Sequence, residues 1–454
     1  MCNAVKRLVT ISSSAQHNTN RRIKNKHLLY NCVLFLLHHK ITFTLNLAAP
    51  LAVLRIPEFR NFVMGRFAFI MGLRMMNTLV SWWMYELTGD PFYIGMIGLA
   101  EAIPAVGLAL YAGYIIDRSE KRRLLLITIF LYSICSFILL GTSTQWFNHQ
   151  FGTKVIIICI YGIIFITGAI RSFSGPGFSA IISSLVPKNL LVTASQMSST
   201  SWLIASIAGH GMAGFLIAWV HVSGTFIIII TLILTGLTFL YRLKAKPPQL
   251  SAEKKTLEAV AEGLRYVFKT KEVLGAITLD LFAVLFGGAV ALVPVYAKDI
   301  LHVGPIGFGW LNAASDIGSI AMVIGLTLNP MKRKQGIKLF MAVAGFGICI
   351  IVFGLSKMYW LSFCALLAGG IFDGVSVVVR GNIMQLKTPD HLRGRVMSVN
   401  SMFVNSSNEI GQFESGVSAK LMGVIPSVVF GGCMTLFVVV ATWIKAPSLK
   451  KLEY

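Results

Sequence analysis

Gly113-Tyr114-Ile115-Ile116-Asp117-Arg118-Ser119-Glu120-Lys121-Arg122-Arg123 is a knot of charge between two long apolar runs. A membrane has to hold both flanks, so the stretch is a short turn at one membrane face. Short cytoplasmic loops carry the Lys/Arg excess of membrane proteins, so its four bases point to the cytoplasmic side. The orientation of every other segment follows from that choice.

Composition agrees. The chain is 55% hydrophobic and 13% charged, with mean hydropathy +0.73; a soluble chain carries about twice that charge fraction. Lys and Arg total 40 against 18 Asp and Glu. These bases sit between apolar runs, so membrane topology accounts for them and nucleic acid is not an expected partner. The seven cysteines form no Cys-x-x-Cys pair and read as small packing residues.

Twelve spans are expected, at about 61–86, 92–116, 123–143, 154–185, 193–219, 222–241, 273–297, 305–329, 337–356, 359–386, 394–422 and 425–444. Each reaches the roughly 20 residues a crossing needs. With both termini inside, 32 bases fall in inner segments and three (Lys154, Lys298, Lys357) in outer loops. The expected fold class is an all-α membrane protein with two pseudo-symmetric six-helix halves, 56–241 and 273–447. Between them, 242–272 is a cytoplasmic linker. Its Leu257, Val260, Ala261, Leu264, Val267 and Phe268 recur at helical spacing, as in an amphipathic helix on the inner surface. Residues 1–55 read as a basic cytoplasmic tail or a misassigned start, and 448–454 as a short cytoplasmic tail.

The halves repeat. A shift of 202 residues lays Pro187-Lys188-Asn189-Leu190 on Pro389-Asp390-His391-Leu392, and Gly209 and Gly214 on Gly411 and Gly416. Six-plus-six chains of this kind are transporters in which two halves rock about a central site.

The opening turn resembles the signature between helices 2 and 3 of the major facilitator superfamily, Gly-x-x-x-Asp-Arg-x-Gly-Arg-Arg/Lys. Gly113, Asp117, Arg118, Lys121 and Arg122 fit it, and Glu120 stands where the family has Gly. Glu86-Leu87-Thr88-Gly89-Asp90-Pro91, Val293-Pro294-Val295-Tyr296-Ala297-Lys298-Asp299, Arg393-Gly394-Arg395-Val396 and Asn408-Glu409-Ile410-Gly411-Gln412 narrow the likeness. They are similar to the enterobactin-exporter branch, the transmembrane secretion effectors, with macrolide efflux pumps as near relatives. The resemblance covers about 54–445. It implies proton-driven export of a siderophore or drug-like small molecule, by a monomer in the bacterial cytoplasmic membrane. A nutrient importer and a non-transporting receptor on the same scaffold remain alternatives.

Ionisable side chains inside a span are functional candidates because each costs roughly 2.5–3.5 kcal/mol at a helix centre. The candidates are Arg74, Glu101, Arg171, Asp316, Asp373 and Glu409. Arg74 lies about fourteen residues, roughly 20 Å, from the inner end of its span. Glu101 comes out at similar depth on the next span, so an Arg74–Glu101 ion pair is expected. Arg171 and Asp373 are related by the 202-residue shift and expected to face the substrate path. Asp316 or Glu409 is expected to carry the proton. Asp280 lies in the inner third, and His210 reads as a packed polar contact. Pro176 is expected to kink its span. No phosphate-binding Gly-x-x-x-x-Gly-Lys-[Ser/Thr] loop and no His/Cys metal cluster is present, so neither ATP hydrolysis, nor a metal, nor a cofactor, nor enzymatic activity is expected.

The resemblance also implies that Asp117 meets the inner end of span 11, at Arg393 and Arg395, and latches the halves. Asp117→Asn is therefore expected to weaken export while leaving membrane insertion intact. Quantifying membrane-inserted protein beside transport rate separates this latch from a purely topological anchor.

Overall fold

The computed structural model describes residues 52–247, 256–328, 334–450 and 452; residues 1–51 lie outside them. The helices are α1 Pro57–Thr88, α2 Pro91–Arg118, α3 Lys121–Thr142, α4 Gln145–Leu185, α5 Leu191–Tyr241, α6 Thr256–Lys269 and α7 Lys271–Phe286. Then come α8 Gly304–Leu328, α9 Gln335–Leu355, α10 Tyr359–Lys387, α11 Asp390–Met422, α12 Val424–Lys445 and the single turn α13 Pro447–Lys450. No strand occurs among the described residues. In hydrocarbon only helices and closed barrels satisfy every backbone group internally, so the apolar composition and the all-helical architecture are one fact.

Local chemistry sets the reversals. Gly89 ends α1 in the left-handed region, φ 63°, and donates its N–H to the Tyr85 carbonyl at 2.9 Å. Asp90 then caps α2 by accepting from the Phe92 N–H at 2.9 Å, and Pro91 supplies a first helical residue that needs no donor partner. Three residues thus stop one span and start the next.

Nine helical segments among the described residues are long and apolar enough to cross a membrane. One of them contains all 51 residues of α5, whose backbone leaves the helical region at His221 (φ 57°). Before His221, Ser198 meets Arg66 and His210 meets Thr78, so this part runs along α1 in the same direction. After it, Phe226 packs on Trp83 and Gly236 on Gly65, so the chain returns antiparallel. The segment is two spans. α1 and α11, with 32 and 33 residues, are long enough to cross but carry the buried charges themselves. The arrangement is consistent with twelve spans.

The backbone of α4 leaves the helical region at Gly152 (φ 74°), before the expected span, and Pro176 lies inside the helix. Two expectations need correction. The linker helix α6 does not simply lie on a lipid surface. Its Val267 is fully buried with Val273, Ile277, Met384 and Val396, its Tyr266 hydroxyl donates to the Lys387 carbonyl at 2.5 Å, and Glu262 pairs with Arg395. Of the short tail expected at the end of the chain, Leu449 and Leu452 are instead packed into the core of the second half.

The two halves touch along two helix pairs. A β-carbon added at Gly95 of α2 would come within 2.8 Å of the Gly416 Cα of α11. One at Gly98 would come within 2.6 Å of the Glu409 carbonyl oxygen, and one at Gly214 of α5 within 2.5 Å of the Pro305 carbonyl of α8. Small residues let helix backbones meet this closely. On the same helices toward the end bearing the basic loops, Gly107, Gly113, Gly325 and Gly394 border open space. The halves are therefore sealed by close glycine contacts at the end away from the basic loops. Two polar clasps reinforce the seal. Tyr85 donates to Asp299, and Lys420 pairs with Asp90 at 3.4 Å while lying 4.4 Å from the centre of the Phe92 ring.

Gly98→Val is expected to wedge α2 from α11 and to destabilise by about 1–3 kcal/mol, the usual cost of overpacking. Gly107→Ala, which meets open space, serves as the control. Thermal unfolding of the detergent-solubilised chain checks both, and equal melting temperatures for the two variants would contradict the seal.

Candidate functional site

The charged residues of the central cluster sit beside crossings that glycines permit. Gly168 brings α4 against the backbone of Glu101, where an added β-carbon would lie 2.5 Å from the carbonyl oxygen. Gly98 brings α2 against Glu409, and Gly209 brings α5 to within 2.8 Å of the Arg74 Cβ. Gly370 of α10 abuts the Ser315 backbone, next to Asp316. Three helices consequently converge on one guanidinium. Arg171 Nη1 donates to Glu101 Oε1 at 2.6 Å and to Glu409 Oε1 at 2.5 Å. Glu409 is buried, and its other oxygen lies 3.4 Å from Gln412 Nε2. Arg171 and Glu101 belong to the first half and Glu409 to the second, so this single side chain ties the halves electrostatically.

The expected Arg74–Glu101 pair does not form. Trp202 lies seven residues before Gly209 on α5, hence on the same face, and its ring covers Arg74, 4.7 Å from guanidinium carbon to ring centre. Glu101 is turned to Arg171 instead because α4, not α1, makes the close crossing there. Arg74 stays within electrostatic reach of Asp316, Glu101 and Glu409.

Asp316 accepts from the Ser206 hydroxyl at 2.5 Å, and its Oδ2 lies 3.8 Å from His210 Nε2. His210 Nδ1 in turn is 2.6 Å from the Thr78 hydroxyl. The packed-polar-contact reading of His210 thus holds, and its partners are α1 and α8. Asp373 lies within electrostatic reach of Asp316. It lines a small cavity with Asp280, Ser376, Phe346 and Phe372, with room for about one water molecule.

A pair that sequence reasoning missed lies deeper in the second half. Arg380 and Asp280 form an ion pair with both side chains 4% exposed, and Ser376 donates to Asp280 at 3.2 Å. The signal was present. Asp280 stands nine residues from the basic start of α7 and Arg380 seven from the basic end of α10, which puts them at nearly equal depth. Arg66, also left unassigned by sequence, is held by Ser198 and the Phe178 ring near the basic end.

Of the expected latch, the Asp117 side chain lies outside the described residues. Arg395 is held by Glu262 of α6, and Arg122 donates to the Tyr241 carbonyl at 2.7 Å. Gly113 and Gly394, which that latch would bring together, both border open space. Arg118 and Arg393 both have partners in the fold.

A family profile described as transmembrane secretion effector matches residues 48–453. The chain belongs to this family. An uncharacterized MFS-type transporter, YkuC of Bacillus subtilis, is 22% identical over 367 residues, 76% of this chain and 82% of its own length. The enterobactin exporter EntS of Escherichia coli O1:K1 is 22% identical over 351 residues, 75% and 80% of the two chains. Among solved structures, a D-xylose-proton symporter superposes with TM-score 0.67 at 14% identity, over 86% of this chain and 98% of its own. The POT family transporter PepTSo gives 0.67 at 12%, over 87% and 98%. These likenesses establish the major facilitator fold, and this family member is a multi-pass membrane transporter.

Asp280→Asn is expected to destabilise the protein by about 3–5 kcal/mol, because it strands a buried guanidinium. The double variant Asp280→Leu with Arg380→Met is expected to recover most of that loss. Melting temperatures of the three proteins decide it, and a double variant no better than the single one would contradict the pairing.

Proposed function

We propose that this transporter is a proton-coupled exporter of a siderophore or drug-like amphipathic molecule, working by alternating access in the bacterial inner membrane. The observation that supports it most is the Arg171 guanidinium shared by Glu101 and Glu409 across the two halves. In this reading the basic end is cytoplasmic by the positive-inside rule, the close glycine contacts seal the outer end, and substrate enters from the cell. The enterobactin exporter among its relatives fits that direction.

Glu409 is the better of the two expected proton carriers. Protonating it removes one of the two charges held by Arg171, and with it the electrostatic tie between halves. A ligand or proton shifts such an equilibrium only through differential interaction with the two states, and this contact exists only where α2, α4 and α11 meet. Asp316, hydrogen-bonded to Ser206, plays the same part at the α5–α8 contact. In the opposite state the basic end closes, and Gly113, Asp117, Arg118, Lys121 and Arg122 come against Arg393 and Arg395.

Glu409→Gln is expected to cut uncoupler-sensitive export at least tenfold while the protein still inserts and purifies as one species. The assay is dye or siderophore accumulation in cells with and without the chain, with and without uncoupler. Export that ignores the uncoupler in the unmodified chain would sink proton coupling. Chain-dependent uptake in its place would favour an importer.

A further inference from the structure

A groove of about 440 Å³ runs down the outside of α2 and α4. Met96, Leu99 and Ile103 of α2 and Ile158, Gly162 and Phe165 of α4 line it. On each helix these residues recur at helical spacing and form one stripe. Arg171 lies six residues past Phe165, about 120° away around α4, so the groove faces away from the central cluster. Ile103, Ile158 and Phe165 are 56%, 69% and 45% exposed there. Large apolar side chains this exposed on a membrane span border lipid. The groove is shaped by its sequence. An added β-carbon at Gly162 would have no atom within 4 Å, so the hollow exists where this position lacks a side chain. Tyr161, also in the wall, donates its hydroxyl to the Tyr93 carbonyl at 2.9 Å, which ties α4 to α2 and leaves the wall apolar.

Charge marks one end of this groove. Lys154 stands one helical turn before Ile158 and two before Gly162, in the same stripe of α4. It is exposed and makes no hydrogen bond or ion pair among the described residues. Just before it the backbone bends at Gly152, and Trp146, Phe147 and Phe151 cluster, with Trp146 69% exposed. Tryptophan is enriched at the headgroup level, so Lys154 stands where lipid headgroups lie. Length agrees. The contacts of Tyr161 with Tyr93 and of Gly168 with Glu101 set α4 numbering 67 or 68 ahead of α2 at equal depth. Ile103 is then level with residue 170, which places it about 18 Å further along the membrane normal than Ile158. Half of a bilayer's hydrocarbon is roughly 15 Å thick. The groove therefore spans one leaflet, with an ammonium at its headgroup end.

We infer that the groove between α2 and α4 holds one acyl chain of a phospholipid with an anionic headgroup, whose phosphate pairs with Lys154 in the leaflet away from the basic loops. This site is separate from the central cluster and does not depend on which molecule is moved or in which direction. The acyl chain braces α2 against α4 from the side opposite Arg171. A ligand that binds only the folded bundle stabilises it, so the lipid raises resistance to unfolding.

The test uses the full chain purified in detergent, stripped of lipid and titrated with palmitoyl-oleoyl phosphatidylglycerol, with native mass spectrometry as the readout. One tightly retained lipid is expected. Lys154→Gln should weaken its retention roughly fivefold, as befits a single lysine at an anionic headgroup. Gly162→Leu, which fills the hollow without meeting the protein, should weaken it at least as much. Gly141→Leu, which also meets open space but lies on α3 outside the groove, should leave it unchanged. Phosphatidylcholine with the same chains should bind more weakly and be indifferent to Lys154→Gln. Equal melting temperatures of all variants without lipid establish that they fold. Phosphatidylglycerol then raises the melting temperature of the unmodified chain and not that of Gly162→Leu, and inorganic phosphate raises neither. Retention indifferent to Gly162→Leu in monodisperse protein would mean annular lipid only and would overturn the inference. Equal retention of the two lipids would overturn it too, as would a dimer that the leucine splits, which would give the groove to a second copy of the chain.

Discussion

A charge inside hydrocarbon must find its opposite, and in the central cluster of this protein it finds it where a glycine lets two helices touch. Gly168 places Arg171 beside Glu101, Gly98 places Glu409 beside both, and Gly209 puts Arg74 under Trp202. Remove the side-chain-free surface and the backbones part by the width of a methyl group or more. The ion pairs would lengthen with them, in a medium where an unpaired charge is severely penalised. The glycines and the charges are thus one design. Neither set makes sense alone, since close-packed small residues would merely glue the bundle and isolated charges would destabilise it.

That design is asymmetric along the membrane normal. Close glycine contacts and two polar clasps hold the halves together at one end, while open space borders the corresponding glycines at the basic end. The cluster of Glu101, Arg171 and Glu409 lies at the α2–α11 contact, next to the Gly98 crossing, so a change in its charge acts directly on the tie between the halves. The linker helix α6 is fastened to α10 and α11 of the second half by Glu262, Tyr266 and Val267, and it also touches α2 of the first half.

Much of this was legible in the chain. The charge knot at 113–123, the loop asymmetry in bases and the 202-residue repeat pointed to the fold, and the intramembrane charges were the right residues to question. The partners were not legible. Depth along a span put Arg74 and Glu101 level with each other, and they are, but depth says nothing about rotation. Which face a helix shows to which neighbour decided that Glu101 meets Arg171. The same depth argument, applied to Asp280 and Arg380, would have found the buried pair that was missed.

Sequence by itself determined that this is a membrane transporter of helices in two related halves, because hydrophobic length, loop charge and repeat register are properties of the chain read in order. Its membership of the transmembrane secretion effectors follows from the same string. Tertiary structure decided who pairs with whom and where the two halves meet closely. Those depend on distances between helices far apart in sequence. Glu409 stands 238 residues from the Arg171 that holds it, and nothing local in either stretch names the other.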